Sequence, residues 1–184
     1  QVMEHCHMPL QAGHNDLLQR MKRLYTVESF KEIVESLRRE VPSIGLTTDI
    51  IVGFPGETEE EFEGTLSVMR EIRFDGAYMF KYSIRPGTPA AEMEQVDSKV
   101  ADNRLKSLIE LQNQITLEKH QEMEGRTYEV LVEGASPKNP GRLQGYTRCF
   151  KMMHFEGDSS LAGRLVQVTA TRGRLWGVDG RLNA

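Results

Sequence analysis

The stretch Thr47–Phe62 constrains the fold more than any other part of the sequence. It contains consecutive β-branched residues at 50–52, a turn rich in Gly and Pro at 53–56, and Thr58 followed three residues later by Glu61. The apolar run predicts a parallel strand buried on both faces, and the turn ends that strand. The Thr/Glu spacing is a capping box that starts a helix. This order of elements indicates an α/β fold.

The same strand–turn–helix junction is a candidate ligand site. In α/β proteins, ligands bind beyond the carboxyl ends of the strands, and unpaired N–H groups at a helix start favour phosphate or carboxylate. An ordinary βα connection explains the pattern equally well, since neither a GxGxxG nor a Walker motif is present. The junction alone leaves the ligand open.

Strands and helices alternate on both sides of this junction. Residues 2–10 and 76–82 predict strands, Asn15 and Thr26 are candidate N-caps of two helices, and residues 98–121 predict a long helix. The expected buried stripes are Phe30, Ile33, Val34, Leu37 and Val41, then Phe62, Leu66, Met69 and Ile72, and finally Leu105, Leu108, Ile109, Gln112 and Ile115. Right-handed crossovers and a parallel sheet follow from this order.

The pattern changes near residue 122, so we predict one domain over 1–121 and another over 122–184. Short strands are predicted at 128–132, 147–155, 164–171 and 174–178, which is typical of a small all-β barrel or sandwich. The second part carries nine Lys/Arg against seven Asp/Glu, whereas the first carries 14 against 20. This slightly basic part is compatible with nucleic acid without indicating it alone.

The two cysteines and the first residues of the chain indicate the cellular compartment that we expect for the protein. Cys6 and Cys149 lie far apart, so neither a disulfide framework nor a zinc site is predicted and a reduced cytoplasm is expected. No apolar run approaches the roughly 20 residues of a membrane span. The chain has no initiator Met and no signal-peptide pattern, so we expect a piece of a longer protein.

Two local patterns carry candidate chemistry. His5 and His7 share one face of the first strand and Cys6 takes the other, so packed or hydrogen-bonded histidines are favoured over a metal site. In the turn-rich loop at 83–91, Arg85 either pairs with a phosphate or carboxylate or lies solvated.

Four motifs in order resemble the radical SAM methylthiotransferase family. They are HMPLQAG at 7–13, TDIIVGFPGET at 48–58, FKYSIRPGTPA at 80–90, and a β module resembling a TRAM domain, marked by EVLVEG at 129–134 and the strand at 145–151. The resemblance covers nearly the whole chain. It implies an α/β fold: the second half of a radical SAM (βα) parallel barrel, followed by a small all-β, OB-like TRAM domain.

The family binds S-adenosyl-L-methionine and, in its full-length members, two [4Fe–4S] clusters. The Cys-x3-Cys-x2-Cys loop and the three cysteines of the auxiliary cluster are absent here, and Cys6 and Cys149 do not match their positions. Because thiolates hold such clusters, we expect the ligands to lie outside this chain. The fragment alone is expected to be inactive, with no catalytic residue and no metal site of its own.

The resemblance implies three groups of binding residues. Ile51 and Phe54 would give apolar contact to the cofactor's adenosine, and Gly53 would allow close backbone approach. Ala12 and His14 stand where serines are often seen, and Tyr146 replaces a common Arg, trading a phosphate contact for stacking. The full sets are Gln11, Gly13, Asp49, Ile51, Gly53 and Phe54 for the cofactor, and Tyr82, Ser83, Arg85 and Thr88 for the modified adenosine. The candidates for RNA are Lys138, Arg142, Tyr146, Arg148 and Lys151. With Phe150 interleaved, these residues would form a basic and aromatic face, although ordinary alternation along a strand explains their pattern as well.

The Arg-Pro-Gly-Thr run at 85–88 resembles the tRNA-modifying branches of the family. The implied reaction converts N6-dimethylallyladenosine, next to the anticodon, to its 2-methylthio derivative by radical sulfur insertion and methyl transfer. The implied partner is the tRNA anticodon stem-loop, with the protein a cytoplasmic monomer, no membrane association and no sulfur donor specified. The alternatives are a methylthiotransferase for threonylcarbamoyladenosine or for a ribosomal protein, and a non-catalytic RNA-binding module whose working part is the TRAM domain.

Overall fold

A computed structural model describes residues 3–137 and 139–183. They form two compact units, each treated by itself. The α/β unit comprises His7–Pro42 and Leu46–Ile115, and the barrel unit comprises residues 3–6, Ser43–Gly45 and 116–183. The boundaries at 1–121 and 122–184 remain a prediction.

The described residues contain a sheet in the order β1 (His5–His7), β2 (Gly45–Val52) and β3 (Gly76–Lys81). The α/β unit holds His7, residues 46–52 and β3 of this sheet. Strands β2 and β3 pair in parallel, as predicted. The first strand is shorter than predicted, and Val2 lies outside the described residues. The helices are α1 (Asn15–Arg20), α2 (Val27–Glu40), α3 (Glu59–Ile72) and α4 (Ser98–Gln121), with a 3₁₀ turn at Pro89–Glu92.

The two faces of β2 differ, which corrects the expectation of a strand buried on both faces. Leu46, Thr48, Ile50 and Val52 are fully buried, whereas the alternating residues are only half-buried. On β3, Phe80 pairs with Ile51 and is 53% exposed. One face of the sheet is therefore closed by packing, and the other is open.

The capping box predicted at Thr58 and the N-cap predicted at Thr26 are confirmed, and Thr26 also forms a capping box with Ser29. The first helix, however, begins differently. His14 is the N-cap of α1, since its Nδ1 accepts from the Asp16 N–H. Asn15 instead uses Oδ1 to accept the Val27 N–H at 2.8 Å, at the start of α2. The Asn15 side chain therefore satisfies an N–H group at the start of α2, which the tertiary fold places next to it, and not one at the start of α1.

The predicted stripe of α3 is buried throughout, and the bounds of α4 match. In α2 and α4 the stripes are partly wrong, because Ile33 and Ile109 are exposed and Val41 caps the end of α2. In α4 the buried residues include Ala101 and Arg104, which the apolar pattern missed. No helix in the described ranges combines the length and apolar character needed to cross a membrane.

The barrel unit is a closed barrel in the order β4-β5-β6-β8-β7. Its strands are β4 (Thr127–Ser136), β5 (Asn139–Thr147), β6 (Met152–Phe155), β7 (Leu165–Arg174) and β8 (Gly177–Leu182), with a 3₁₀ turn at Ser159–Leu161. The strand predicted at 147–155 is wrong, because a tight turn divides it. Phe150 sits there with φ 63°, and its N–H donates to the Thr147 carbonyl. The core is apolar and includes Val130, Leu143, Met153, Phe155, Val168 and Val178.

Candidate cofactor and substrate pocket

A pocket of about 480 Å³ lies on the open face of the sheet, at the carboxyl ends of β2 and β3. That is the edge where parallel sheets hold ligands. Seven of the ten residues predicted for cofactor or substrate line it: Gln11, Asp49, Ile51, Phe54, Tyr82, Ser83 and Arg85. Thr88 lines a neighbouring cavity of about 410 Å³, which shares Phe54, Tyr82 and Arg85 with the first.

Gln11 enters the pocket wall in a strained conformation. Its φ is 69°, which costs free energy for any residue with a Cβ, and the residue is only 6% exposed. Its N–H donates to the Asp49 carbonyl at 2.8 Å, and its carbonyl accepts from the Ile51 N–H at 2.9 Å. These two bonds fix Gln11 beside β2, so the strain is held by the sheet.

His7 lies on the same open face of the sheet, where it contacts polar side chains of β2. Its Nδ1 lies 3.0 Å from Thr47 Oγ1, and its Nε2 lies 3.4 Å from Asp49 Oδ1. Its ring meets Tyr78 edge-on, with centroids 5.8 Å apart. His7 is thus packed and hydrogen-bonded, the arrangement that the sequence favoured.

Tyr82 gives the pocket an unsatisfied polar group. Its ring packs edge-on against Phe54 with centroids 5.2 Å apart, and its N–H donates to the Val52 carbonyl. Its buried hydroxyl finds no hydrogen-bond partner among the residues that the structure describes. A buried hydroxyl without a partner costs free energy, and a polar ligand group in the pocket would remove that cost.

The two glycines predicted to contact the cofactor have packing roles here. A Cβ on Gly13 would lie 2.5 Å from the Thr65 backbone, and the Gly13 N–H donates to Thr65 Oγ1. A Cβ on Gly53 would lie 2.7 Å from the Ala101 Cβ, and Gly53 has φ 72°. Their close approach is therefore to α3 and α4, and contact with the cofactor stays a prediction.

A buried ion pair fixes the turn that carries Phe54. Glu57 Oε2 accepts the Gly53 N–H at 2.6 Å and a bond from Arg104 Nη1 at 2.9 Å. The Arg104 guanidinium also lies over the Phe62 ring, 5.5 Å from its centroid. Burial raises the pKa of Glu57 above its ordinary value, and the Gly53 N–H and Arg104 oppose that rise only in part. Sequence reasoning missed this ion pair.

At the start of α3, where the sequence suggested an anion, side chains of the chain itself already accept from the Thr58 and Glu61 N–H groups. Glu61 accepts the Thr58 N–H and binds Arg20 at 2.6 and 2.7 Å. The Arg20 hydrogen bonds hold the pKa of Glu61 below its ordinary value. Donor atoms of His14, Asp16 and Glu61 lie within 4.8 Å of one another, but Glu61 is already neutralised by Arg20.

Four pocket residues were missed by sequence reasoning: Met21, Arg23, Phe80 and Lys81. The sequence contained a signal for Phe80, because it stands two residues before Tyr82 and so points to the same face of the strand. In the structure Phe80 pairs with Ile51 across β2 and β3. Met21 and Arg23 follow α1, and only the tertiary fold brings that segment to the pocket.

The residues predicted to bind RNA are distributed unevenly over the barrel unit. Tyr146 and Phe150 stack with centroids 4.5 Å apart. Arg148 binds Glu4 at 2.9 Å, and Lys151 is only 6% exposed. Arg142 lies elsewhere, in grooves with residues of β8. Lys138 lies outside the described residues.

Comparisons with protein families assign both parts of the chain. Residues 3–69 match the radical SAM superfamily, and residues 121–182 match the TRAM domain. One part of the chain is therefore similar to a radical SAM domain and the other to a TRAM domain. The fold of this chain is similar to that of coproporphyrinogen III oxidase from Escherichia coli, whose description calls it a radical SAM enzyme: the TM-score is 0.52 and the identity 14%, over 79% of this chain and 41% of that one.

Curated relatives of this radical SAM–TRAM chain carry one name, tRNA-2-methylthio-N(6)-dimethylallyladenosine synthase. The protein from Thermoanaerobacter sp. (strain X514) is 50% identical over 98% of this chain, which covers 39% of that protein. The protein from Moorella thermoacetica is 50% identical over 98%, with 41% covered. The predicted relationship is confirmed, and the chain spans about 40% of the length of these relatives.

Proposed function

We propose that this chain is part of a methylthiotransferase that converts N6-dimethylallyladenosine in tRNA, next to the anticodon, to its 2-methylthio derivative. Half of its residues are identical to those of synthases named for that product. The observation that carries the proposal is the Tyr82 hydroxyl, which lies beside Phe54 in a pocket at the carboxyl edge of the sheet and has no partner among the residues the structure describes.

The pocket residues fit S-adenosyl-L-methionine in their chemistry. Ile51 and Phe54 offer apolar surface for a purine, and the Asp49 carboxylate and Gln11 amide offer partners for hydroxyl and amino groups. Bound there, the cofactor supplies the radical that activates the substrate and the methyl group that is transferred. The chain's own residues bind and orient the reacting groups and exclude water from them.

The substrate nucleoside is assigned to the loop after β3. Ser83 and Arg85 are exposed beside the pocket, and Arg85 provides a charged fork for a phosphate oxygen. Thr88 accordingly shapes this loop, because its Oγ1 donates to the Arg85 carbonyl at 2.8 Å.

The chain's cysteines do not fit an iron–sulfur cluster. Cys6 and Cys149 are its only two cysteines, and a [4Fe–4S] cluster needs more thiolates than two. The proposal therefore places the cluster ligands outside this sequence and expects no turnover by the chain alone. A cytoplasmic location, a monomeric state and contact with the anticodon stem-loop belong to the same proposal.

A chimera tests this function. Residues 1–184 replace the matching segment of the Thermoanaerobacter sp. synthase, and the chimera is expressed in a host that lacks its own synthase. Mass spectrometry of tRNA nucleosides is expected to find 2-methylthio-N6-dimethylallyladenosine. A soluble chimera with bound clusters that leaves dimethylallyladenosine unmodified would overturn the proposal, and the unaltered synthase is the positive control.

A further inference from the structure

A single exposed tryptophan marks the tip of the β7–β8 hairpin. Trp176 is the only tryptophan of the chain and is 78% exposed. It lies in a two-residue turn, since Arg174 pairs with Gly177 across the hairpin. Burying a large aromatic ring removes much apolar surface from water, and exposed tryptophans are common at binding surfaces for that reason.

The base of this hairpin is held firmly within the barrel unit. The Gly173 N–H donates to Glu124 Oε1 at 2.8 Å, and His120 Nδ1 lies 2.6 Å from the Arg174 carbonyl. A Cβ on Gly173 would lie 2.4 Å from the backbone of His120 and Gln121, so the strand and the end of α4 touch directly. The tip therefore projects from a fixed support, which lowers the entropy cost of binding.

A groove of about 310 Å³ lies beside Trp176 and carries positive charge. Asp179 accepts from Arg142 Nη1 at 2.8 Å and from Arg174 Nε at 2.5 Å, so one carboxylate orients two guanidiniums. Burial alone would raise the pKa of Asp179, but hydrogen bonds from Arg174 and Arg142 bring it below its ordinary value. The group thus keeps a surplus positive charge, and Arg174 is 58% exposed at its side chain.

A second groove continues from the first through Arg142. It has a volume of about 520 Å³ and adds Arg181 and Glu156. An exposed aromatic ring beside a basic groove is how proteins hold unpaired nucleotides, with the base on the ring and the phosphate on the guanidinium.

The barrel unit has a second aromatic surface, around Tyr146 and Phe150, which is less suited to binding RNA. Arg148 binds Glu4 at 2.9 Å and Glu129 at 3.6 Å, so its charge is neutralised. Phe150 packs against His5, with centroids 4.8 Å apart. This surface balances one arginine with two carboxylates, whereas in the hairpin groove two arginines share one carboxylate.

We infer that the TRAM barrel binds RNA at the β7–β8 hairpin, with an unpaired base stacked on Trp176 and its phosphate held by Arg174 and Arg142. Of the expected RNA-binding residues that the structure describes, Arg142 alone belongs to this site. That the bound RNA is tRNA rests on the function proposed above.

Because Trp176 is the only tryptophan, its fluorescence reports this site directly in the 184-residue chain. Titration with a synthetic tRNA anticodon stem-loop is expected to quench the emission in a saturable way, with affinity falling as salt is raised. In anisotropy with labelled RNA, Trp176→Ala and Arg174→Gln are each expected to weaken binding about tenfold. Leu131→Ala, at an exposed apolar residue of β4, is the matched control and is expected to change nothing.

RNA binding without quenching, or equal affinity for Trp176→Ala and the unaltered chain, would move the site elsewhere. Absence of binding by the folded chain would also overturn the inference. The chimera separates this outcome from the proposed function. Methylthio product without a Trp176 effect refutes only the site, and Trp176 quenching without product refutes only the reaction.

Discussion

Arg104 on α4 and Glu57, just before α3, form an ion pair with 2.9 Å between Arg104 Nη1 and Glu57 Oε2, and their side chains are 7% and 1% exposed. The same carboxylate receives the Gly53 N–H. The pair therefore joins a distant helix to the turn that carries Phe54 into the pocket.

Arg104→Met is expected to destabilise the α/β unit by about 3 kcal/mol, because it leaves a buried carboxylate without its counter-charge. Since burial already raises the pKa of Glu57 above 4.5, the loss should grow as pH rises above that value. Urea unfolding followed by far-UV circular dichroism measures it. Lys106→Met, on the same helix in an exposed pair with Glu110, should cost less than about 1 kcal/mol. Equal losses for the two variants would contradict the account.

Gly53 and Gly56 separate backbone strain from packing. Both have positive φ, 72° and 73°, but a Cβ would meet Ala101 only at Gly53. Gly56→Ala should cost about 1 kcal/mol from strain alone, and Gly53→Ala about 1–3 kcal/mol more from overpacking. The double variant Gly53→Ala/Ala101→Gly should recover part of the difference in denaturant unfolding. No recovery would mean that Ala101 is not the obstacle.

Tyr82→Phe should affect stability and binding in opposite ways. Its hydroxyl is buried without a partner among the described residues, so its removal should leave the free energy of unfolding unchanged or raise it by up to about 1 kcal/mol. In the chimera the same variant should raise KM for cofactor or tRNA. A destabilised variant with unchanged KM would show that the hydroxyl is satisfied within the protein.

Arg20→Met should show a pH-dependent loss of stability. Arg20 lowers the pKa of Glu61 below 4.5 in the folded state, so the pair contributes fully above that pH and loses its contribution as pH falls through the lowered value. The stability difference between the unaltered chain and Arg20→Met should therefore shrink as the pH falls from about 6 to about 3. Arg70→Met, which removes an exposed pair with Glu63, should give a small difference at all pH values. A constant difference for Arg20→Met would contradict the assignment.

The sequence predicted those features that depend on neighbouring residues. The N-cap at Thr26, the capping box at Thr58 and the strand–turn–helix junction are local, and the structure contains them. Tertiary choices were missed. Asn15 caps the helix that folding brings to it, and Arg104 is buried because Glu57 meets it from 47 positions away.

Strand alternation was also hidden in the apolar run at 50–52. Ile50 and Val52 are buried, while Ile51 faces the pocket, and the sequence gives no sign of which face remains open. The site residues around Ile51 were found through motif resemblance, whereas Met21 and Arg23 belong to no such motif and are placed by the fold.

The chimera allows the proposed reaction to be measured in cells, as the levels of the two methylthiolated nucleosides in their tRNA. We expect accumulation of 2-methylthio-N6-dimethylallyladenosine, with threonylcarbamoyladenosine left unmodified. Methylthiolation of threonylcarbamoyladenosine alone, or of neither nucleoside by a folded chimera with both clusters bound, would contradict it.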